Sequence, residues 1–266
     1  MRYWALAVAA FHRQTQYRLA MAAGLFTNVV FGFIRSAIMF AALDSGGSAA
    51  LAGYTKGSVS AYIWLSQGLL GAVLLGMGSS EIGERIRTGD IAIDLIRPVD
   101  VQLSYLAGEL GRATYTFIPR GVPSVLVGAL TFGLVLPATP LPYLLGLVSI
   151  VLAVGVSFLV RFLLVDVAGF WVTQNRGILT VYTVSATFLA GLFVPVHIFP
   201  DWLRAVARLT PFPSMLQAPV DVLSGRVLGG EAVQVVGLQL GWFVLALVLG
   251  RVVLRRATRK LVVGGG

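Results

Sequence analysis

The chain has 266 residues, of which 57% are hydrophobic and only 12% charged, with a mean hydropathy of +0.87 and a net charge of +9. Soluble domains carry about 25% charged residues, and a soluble core could not absorb this much apolar sequence without leaving large apolar patches in water. The composition is that of an integral membrane protein; its positive charge suits the cytoplasmic side of a membrane rather than nucleic acid, and the lack of cysteine excludes disulfides and thiolate chemistry.

The opening stretch "MRYWALAVAAFHRQTQYR" places Trp4, Val8 and Phe11 near helical spacing, with basic residues further on. This pattern predicts an interfacial helix over 1–18, its aromatic residues at headgroup depth. His12 and Arg13 interrupt the apolar run and no small-residue cleavage site follows, so the first span is expected to act as an uncleaved anchor. His12 and His197 lie far apart with no carboxylate at ligand spacing, and no metal site is expected.

A helix crosses the hydrocarbon core with about 20 apolar residues. Six windows meet this length, at 20–43, 59–78, 114–136, 143–165, 178–196 and 234–254. They are continuous and too long for barrel strands. The expected fold is therefore an all-α integral membrane protein with six transmembrane helices, forming one domain over 1–266. Arg35 sits deep in the first window, where an arginine costs about 2.5–3.5 kcal/mol on insertion scales. Asn28, seven positions earlier, lies on the same helical face. Either the two form a polar wall of a translocation pathway, or the arginine pairs within the bundle. Arg161 and Asp166, in and after the fourth window, are each expected to reach another helix. Gly237 and Gly241 in the sixth window permit close helix contact, and ordinary packing within the chain is the expectation there.

Residues 79–100, "SSEIGERIRTGDIAIDLIRPVD", hold eight of the 31 charged residues. Ile82 and Ile86 recur four apart while Glu81, Glu84, Arg85 and Arg87 face elsewhere, which predicts a short amphipathic helix. Gly89 and Asp90 supply a turn; Ile91 to Ile96 is a compact apolar run carrying Asp94, and Arg97-Pro98 ends the element. A solvated loop would leave five isoleucines and a leucine in water. The mixed charges suit a specific protein contact better than lipid headgroups.

The segment 195–230 holds five of the eleven prolines. Within "FPDWLRAVARLTPFP", Trp202, Val206 and Leu209 share roughly one face, and Pro211 and Pro213 break the helix and turn the chain back. Lys and Arg set the orientation. With the N-terminus inside, one side carries Arg2, Arg13 and Arg18, then Arg85, Arg87, Arg97 and Arg112, then Arg176, and lastly Arg251, Arg255, Arg256, Arg259 and Lys260. The other side carries only Lys56, Arg204, Arg208 and Arg226. Both termini and the 79–100 segment are therefore expected on the cytoplasmic side.

Three stretches, "QYRLAMAAGLFTN", "EIGERIRTGDIAIDLIRPVD" with the following "YLAGELGR", and "GLFVPVHIFPDWLRAVARLTPFPSML", resemble type-2 ATP-binding-cassette (ABC) transporter permeases. Arg85-Ile86-Arg87, Gly89, Asp94-Leu95 and Arg97-Pro98 match the family's "E-I-R-x-G-x-(I/L)-x-x-x-L-x-R-P" pattern, with Arg85 standing where the pattern favours glutamate. The resemblance implies a six-span exporter subunit of a bacterial plasma membrane. It assigns 79–98 as a coupling helix seated in a cleft of a cytoplasmic ABC ATPase, through Glu81, Ile82, Glu84, Arg85, Ile86, Arg87, Gly89, Asp90, Asp94, Leu95, Arg97 and Pro98. The isoleucines would make the packed contact, and Glu84, Arg87 and Asp94 would orient it by charge. It further implies short extracellular re-entrant helices over 197–230 acting as an outer gate, with Phe193, Pro195, Phe199, Pro200, Trp202 and Pro211 as gate residues.

The implied assembly holds two ATPase copies and a second permease chain, the same or homologous, among membrane lipids. No "GxxxxGK[ST]" stretch occurs and Lys56 and Lys260 lack the preceding glycines. This chain is expected to bind no cofactor, with ATP and Mg on the partner ATPase, and to be no enzyme itself. The alternatives are a stand-alone secondary transporter, which its carboxylate-free spans disfavour, and a lipid-modifying membrane enzyme, which would need clustered His, Asp or Glu. The apolar path suggests a hydrophobic or amphipathic cargo.

Overall fold

A computed structural model describes residues 2–45, 53–73, 75–76, 80–172 and 174–258. Leu74, Met77 and Gly78 of the second predicted window, Ser79, and the basic Arg259 and Lys260 lie outside these residues. Every described element is helical. The N-terminal helix α1 (Arg2–Gln14) is followed by α2 (Arg18–Asp44) and α3 (Lys56–Leu69). Two short helices, α4 (Glu81–Thr88) and α5 (Ile91–Leu95), occupy the charged segment. Then come α6 (Val101–Thr116), α7 (Val122–Phe132), α8 (Leu141–Arg161) and α9 (Arg176–Leu189). Two further short helices, α10 (Asp201–Arg208) and α11 (Gln217–Leu223), precede the long α12 (Gly229–Ala257).

Among the described residues, three helical stretches are long and apolar enough to cross a membrane: Arg18–Asp44, Leu141–Phe170 and Gly229–Ala257. The predicted windows at 20–43, 143–165 and 234–254 fall inside them. The window at 59–78 yields only the 14 residues of α3, and that at 178–196 the 14 residues of α9. At 1.5 Å per residue each is about 21 Å long, short of the ~30 Å hydrocarbon core. Hydropathy continues past Leu69, but the chain there turns through Gly71 and Gly76, and the φ of Gly76, +104°, lies in the left-handed region. The helix that carries the window at 114–136 begins thirteen residues before it, at Val101. Helix runs unbroken over 101–132, through a π-helical turn at Phe117–Gly121.

That π turn has a covalent cause. Pro119 and Pro123 supply no N–H to the ladder, and the bonding register widens so that Val122 N–H reaches the Phe117 carbonyl. A second π turn, Phe162–Asp166, followed by a 3-10 turn, Val167–Phe170, extends α8 toward the charged segment.

Helix α3 is the centre of the bundle, buried from Val59 to Leu69. Thr55 caps it: its side chain accepts from Ser58 N–H while Ser58 Oγ accepts from Thr55 N–H at 2.8 Å. Trp64, fully buried, lies between α2 and α7. A Cβ on Gly32 would stand 2.7 Å from its ring, and one on Gly128 would overlap it. Phe33 and Phe132 flank the indole at centroid distances of 5.4 and 6.2 Å. On the far side, α8 packs on α12, joined by Ser149 Oγ donating to Gln239 Oε1 at 2.6 Å and by Phe243 against Gly155. Gly237 and Gly241, expected to pack within the chain, instead face outward: a Cβ on either would meet nothing of the described chain within 4 Å. The interfacial helix is shorter than the predicted 1–18 and lies against α6, where a Cβ on Gly111 would fall on the Ala7 carbonyl.

Candidate coupling site

The charged segment is built as two capped helices meeting at a corner. Ser80 Oγ accepts from Gly83 N–H at 3.0 Å and so caps α4. Glu81 and Glu84 in the first turn and Arg85 and Arg87 in the last complement the helix dipole. Gly89 ends the helix at φ +85°. Thr88 Oγ1 then donates to Asp90 Oδ2 at 2.9 Å and holds the turn into α5.

The predicted amphipathic face exists, but it points inward. Ile82 and Ile86 are 1% and 6% exposed, and Ile86 packs on Gly169 in the 3-10 turn that prolongs α8. The Ser80 hydroxyl also donates to buried Asp166 at 2.6 Å, and Arg161 stands 3.9 Å from the same carboxylate. Asp166 therefore does reach another element, whereas Arg161 and Asp166 also meet each other. Ile82 and Ile86, expected to make the packed contact with a partner, are packed in this structure within the chain, against the turns that prolong α8. The isoleucines left outside are Ile93 at 51% and Ile96 at 83%.

Asp94 is likewise turned inward, 8% exposed, and gathers three helices. Arg85 Nε donates to its Oδ2 at 2.6 Å from α4, and Tyr105 OH donates at 2.8 Å from α6. Arg97 approaches its other oxygen at 3.5 Å. The hydrogen bond to Asp94 raises the Arg85 pKa, and burial followed by this same hydrogen-bonded carboxylate pushes the Tyr105 phenol up. Asp94, expected to orient an outside partner by its charge, acts in this structure as an internal clamp. Leu95 is half-buried against the core, and Pro98 is exposed.

The outer face of α4 carries Glu84 and Arg87, joined as an exposed ion pair. Hydrogen bonding from Arg87 holds the Glu84 carboxyl below its usual range, and the pairing raises Arg87. Helix α1 grips both ends of the segment. Arg13 Nη2 meets Glu81 Oε2 at 2.7 Å, and Arg2 donates to the Pro98 carbonyl at 3.2 Å. Asp100 caps α6 through Leu103 N–H at 2.8 Å and meets Arg251 of α12 at 3.5 Å. Arg112 donates to the carbonyls of Gly71 and Ala72 at 3.0 and 2.9 Å, and its Nε to Glu109 at 2.9 Å. These contacts join the end of α3 to α6. The sequence reading missed Ser80, Tyr105, Glu109 and Arg112 as members of this site. Only the i, i+3 spacing of Glu109 and Arg112 left a local signal.

Asn28 and Arg35 are not brought together. Asn28, 1% exposed, donates to the Gln67 carbonyl at 2.8 Å and accepts from Arg120 Nη2 at 2.7 Å. Arg35, half-buried, donates to Ser66 Oγ at 3.0 Å. Both thus find partners within the bundle, mostly on α3.

The predicted gate segment folds as α10, a 3-10 turn at Phe212–Met215 after Pro211, and α11. Pro200 precedes α10 and is exposed, while Pro195 is buried. Phe199 is buried and stacks on Phe188 at 5.1 Å; Phe193 and Trp202 are exposed at 58% and 69%. Trp202, Val206 and Leu209 form one outward apolar face of α10. Beneath it lies a polar network without any local sequence signal. Gln217 Oε1 accepts from Tyr62 OH at 2.8 Å and Val196 N–H at 2.9 Å, and Gln217 Nε2 donates to Asp221 at 2.7 Å. His197 Nε2 meets the other Asp221 oxygen at 2.7 Å.

No curated relative and no solved structure matches the chain. A family model described as ABC-2 family transporter protein matches residues 26–265, which span α3, the whole 79–100 charged segment, the 195–230 segment and α12. With helices long enough to span a bilayer and a family match over most of its length, this chain is a multi-pass membrane protein of the ABC-2 transporter family, the type-2 ABC permeases.

Proposed function

We propose that the chain is the permease subunit of an ABC exporter, coupled through residues 79–98 to a separate cytoplasmic ATPase that carries the ATP and Mg. One observation carries this reading. The outer side of α4 and α5 leaves Glu84, Arg87, Ile93 and Ile96 exposed, while the inner side is clamped to α6, α8 and α1. A handle fixed on one face and bare on the other can receive force from a partner and pass it to the rods. Ile93 and Ile96 replace Ile82 and Ile86 as the packed contact, and Glu84 with Arg87 supplies orientation.

The chain crosses the membrane six times in this reading, by α2, α3 with the turn after it, the 101–132 run beyond its first turns (which carry Tyr105), α8, α9 and α12. Both termini lie on the cytoplasmic side of a bacterial plasma membrane. Two permease chains, identical or homologous, form the pathway, with two ATPases beneath. Arg35 lines the pathway and Asn28 supports it from inside the bundle. The gate is the 197–230 segment, with Phe193 and Trp202 exposed at its surface, and Phe199, Pro195, Pro200 and Pro211 shaping it. The cargo is hydrophobic or amphipathic.

The test is co-purification from native membranes in mild detergent. A stoichiometric ATPase that is lost when residues 81–97 are scrambled supports the reading. A chain that purifies alone, whatever the sequence of 81–97, sinks it in favour of a stand-alone transporter.

A further inference from the structure

Between α1, the coupling segment and α6 lies a cavity of about 550 Å3. This volume falls in the range of small-molecule sites. Arg13, Arg85, Arg97, Arg112 and Arg161 line it, facing the carboxylates of Glu81, Asp94 and Glu109. The wall therefore carries an excess of two positive charges.

The carboxylates are already committed. Glu81 is held by Arg13 at 2.7 Å, and Glu109 by Arg112 at 2.9 Å. Asp94 takes Arg85 at 2.6 Å and Tyr105 at 2.8 Å. Arg97 is left with the 3.5 Å approach to Asp94, longer than the 2.7–2.9 Å of a charge-assisted bond, and its side chain is 61% exposed. It can turn its fork to an incoming anion while Asp94 keeps its two closer donors.

The rest of the wall is apolar, with Leu6 and Ala9 from α1, Ile82, Val101 and Phe158. Helix α1 also exposes Trp4 at 76%, and Leu19 at the start of the adjoining α2 is 88% exposed. Aromatic and aliphatic side chains exposed beside basic ones are the signature of a headgroup-level surface. We propose that this cavity binds the headgroup of an anionic phospholipid, with Arg97 as the phosphate ligand and the apolar wall against the first part of an acyl chain. Soluble phosphate shares the chemistry of the headgroup but has no use for the apolar wall.

The test uses the full chain, extracted in mild detergent from membranes containing both phosphatidylglycerol and phosphatidylcholine, with retained lipid measured by native mass spectrometry. Phosphatidylglycerol is expected to be retained over phosphatidylcholine. Arg97→Gln is expected to lower that retention roughly fivefold, the size of one arginine near an anionic surface. Ala9→Trp, which fills the cavity from an exposed position on α1, should lower it too, and millimolar inorganic phosphate should leave the lipid in place. Equal retention of the two lipids, or undiminished retention in both variants, overturns the site. Displacement of the lipid by inorganic phosphate overturns the lipid assignment in favour of a soluble anion.

Discussion

Arg85 and Asp94 stand nine residues apart on two separate helices and meet at 2.6 Å. Asp94 in turn receives Tyr105 of α6, so one carboxylate sets the angle between α4 and α5 and fixes both to the helix beneath. Arg85 is the position where the family pattern favours glutamate. An arginine there serves this chain because its partner is acidic.

Asp94→Ala leaves the guanidinium of Arg85 and the phenol of Tyr105 without their shared acceptor in a half-buried site. The expected cost is about 1–3 kcal/mol of stability, read as a lower thermal midpoint in detergent, together with loss of ATP-driven transport in proteoliposomes holding the partner ATPase. A variant with unchanged midpoint and transport would remove Asp94 from the clamp.

Exchanging the two charges, Glu84→Arg with Arg87→Glu, keeps an i, i+3 ion pair on α4 while inverting what the outer face presents. The chain is expected to insert and unfold as before, yet to lose the ATPase during purification. Wild-type yields of the complex would show that these charges do not meet the partner.

Tyr105 gives a pH test with a definite sign. Its folded-state pKa is raised by burial and by the Asp94 carboxylate, so the fold favours the neutral phenol. That contribution is fully present below the unfolded value of ~10 and is lost as pH rises beyond it. The thermal midpoint of the wild type is expected to fall above that pH more steeply than that of Tyr105→Phe, measured by scanning in detergent. Parallel curves would contradict it. For Glu84 the sign is opposite: its lowered pKa gives a contribution present above ~4.3 and lost as pH falls below it.

Gly128→Ala places a methyl group inside the ring volume of Trp64. Overpacking of this kind costs about 1–3 kcal/mol, and the variant should unfold at lower temperature with altered tryptophan fluorescence. At the other close approach, Gly111→Leu should lift α1 from α6 and speed tryptic cleavage at Arg13. Equal cleavage rates in variant and wild type would mean that α1 is held by its polar contacts alone.

The absence of cysteine makes Trp202→Cys a single-site probe. If α10 belongs to a gate shared by two permease chains, disulfide-linked dimers should form on mild oxidation in native membranes. Exclusively monomeric product at Trp202 and at Leu209→Cys would place the face of α10 against lipid.

Hydropathy located α2, α8 and α12 to within a few residues because each carries a long apolar stretch with few charges. It overran α3, since the sequence after Leu69 is as apolar as a helix while Gly71 and Gly76 turn the chain. The spacing of Ile82 and Ile86 disclosed an amphipathic helix but not which way its apolar face looks. That choice depends on the end of α8, more than eighty residues later in the chain. Separation along the chain also hides the groove for Trp64, made by Gly32 and Gly128, and the network of Tyr62, Gln217, Asp221 and His197. Each residue there is ordinary in its own neighbourhood and acquires its role only from the packing.

The corner at Gly89 has a steric simplicity unlike the tightly packed glycines of the bundle. A side chain there would meet nothing within 4 Å, so only the left-handed backbone demands glycine. The bend between α4 and α5 thus rests on one left-handed torsion, on the Thr88–Asp90 hydrogen bond beside it and on the Arg85–Asp94 clamp across it. A D-alanine introduced by semisynthesis should preserve it, and L-alanine should strain it by roughly 1–2 kcal/mol. The stiffness of this corner, on which the proposed coupling would draw, can therefore be changed at a single torsion while the packing of the long helices stays as it is.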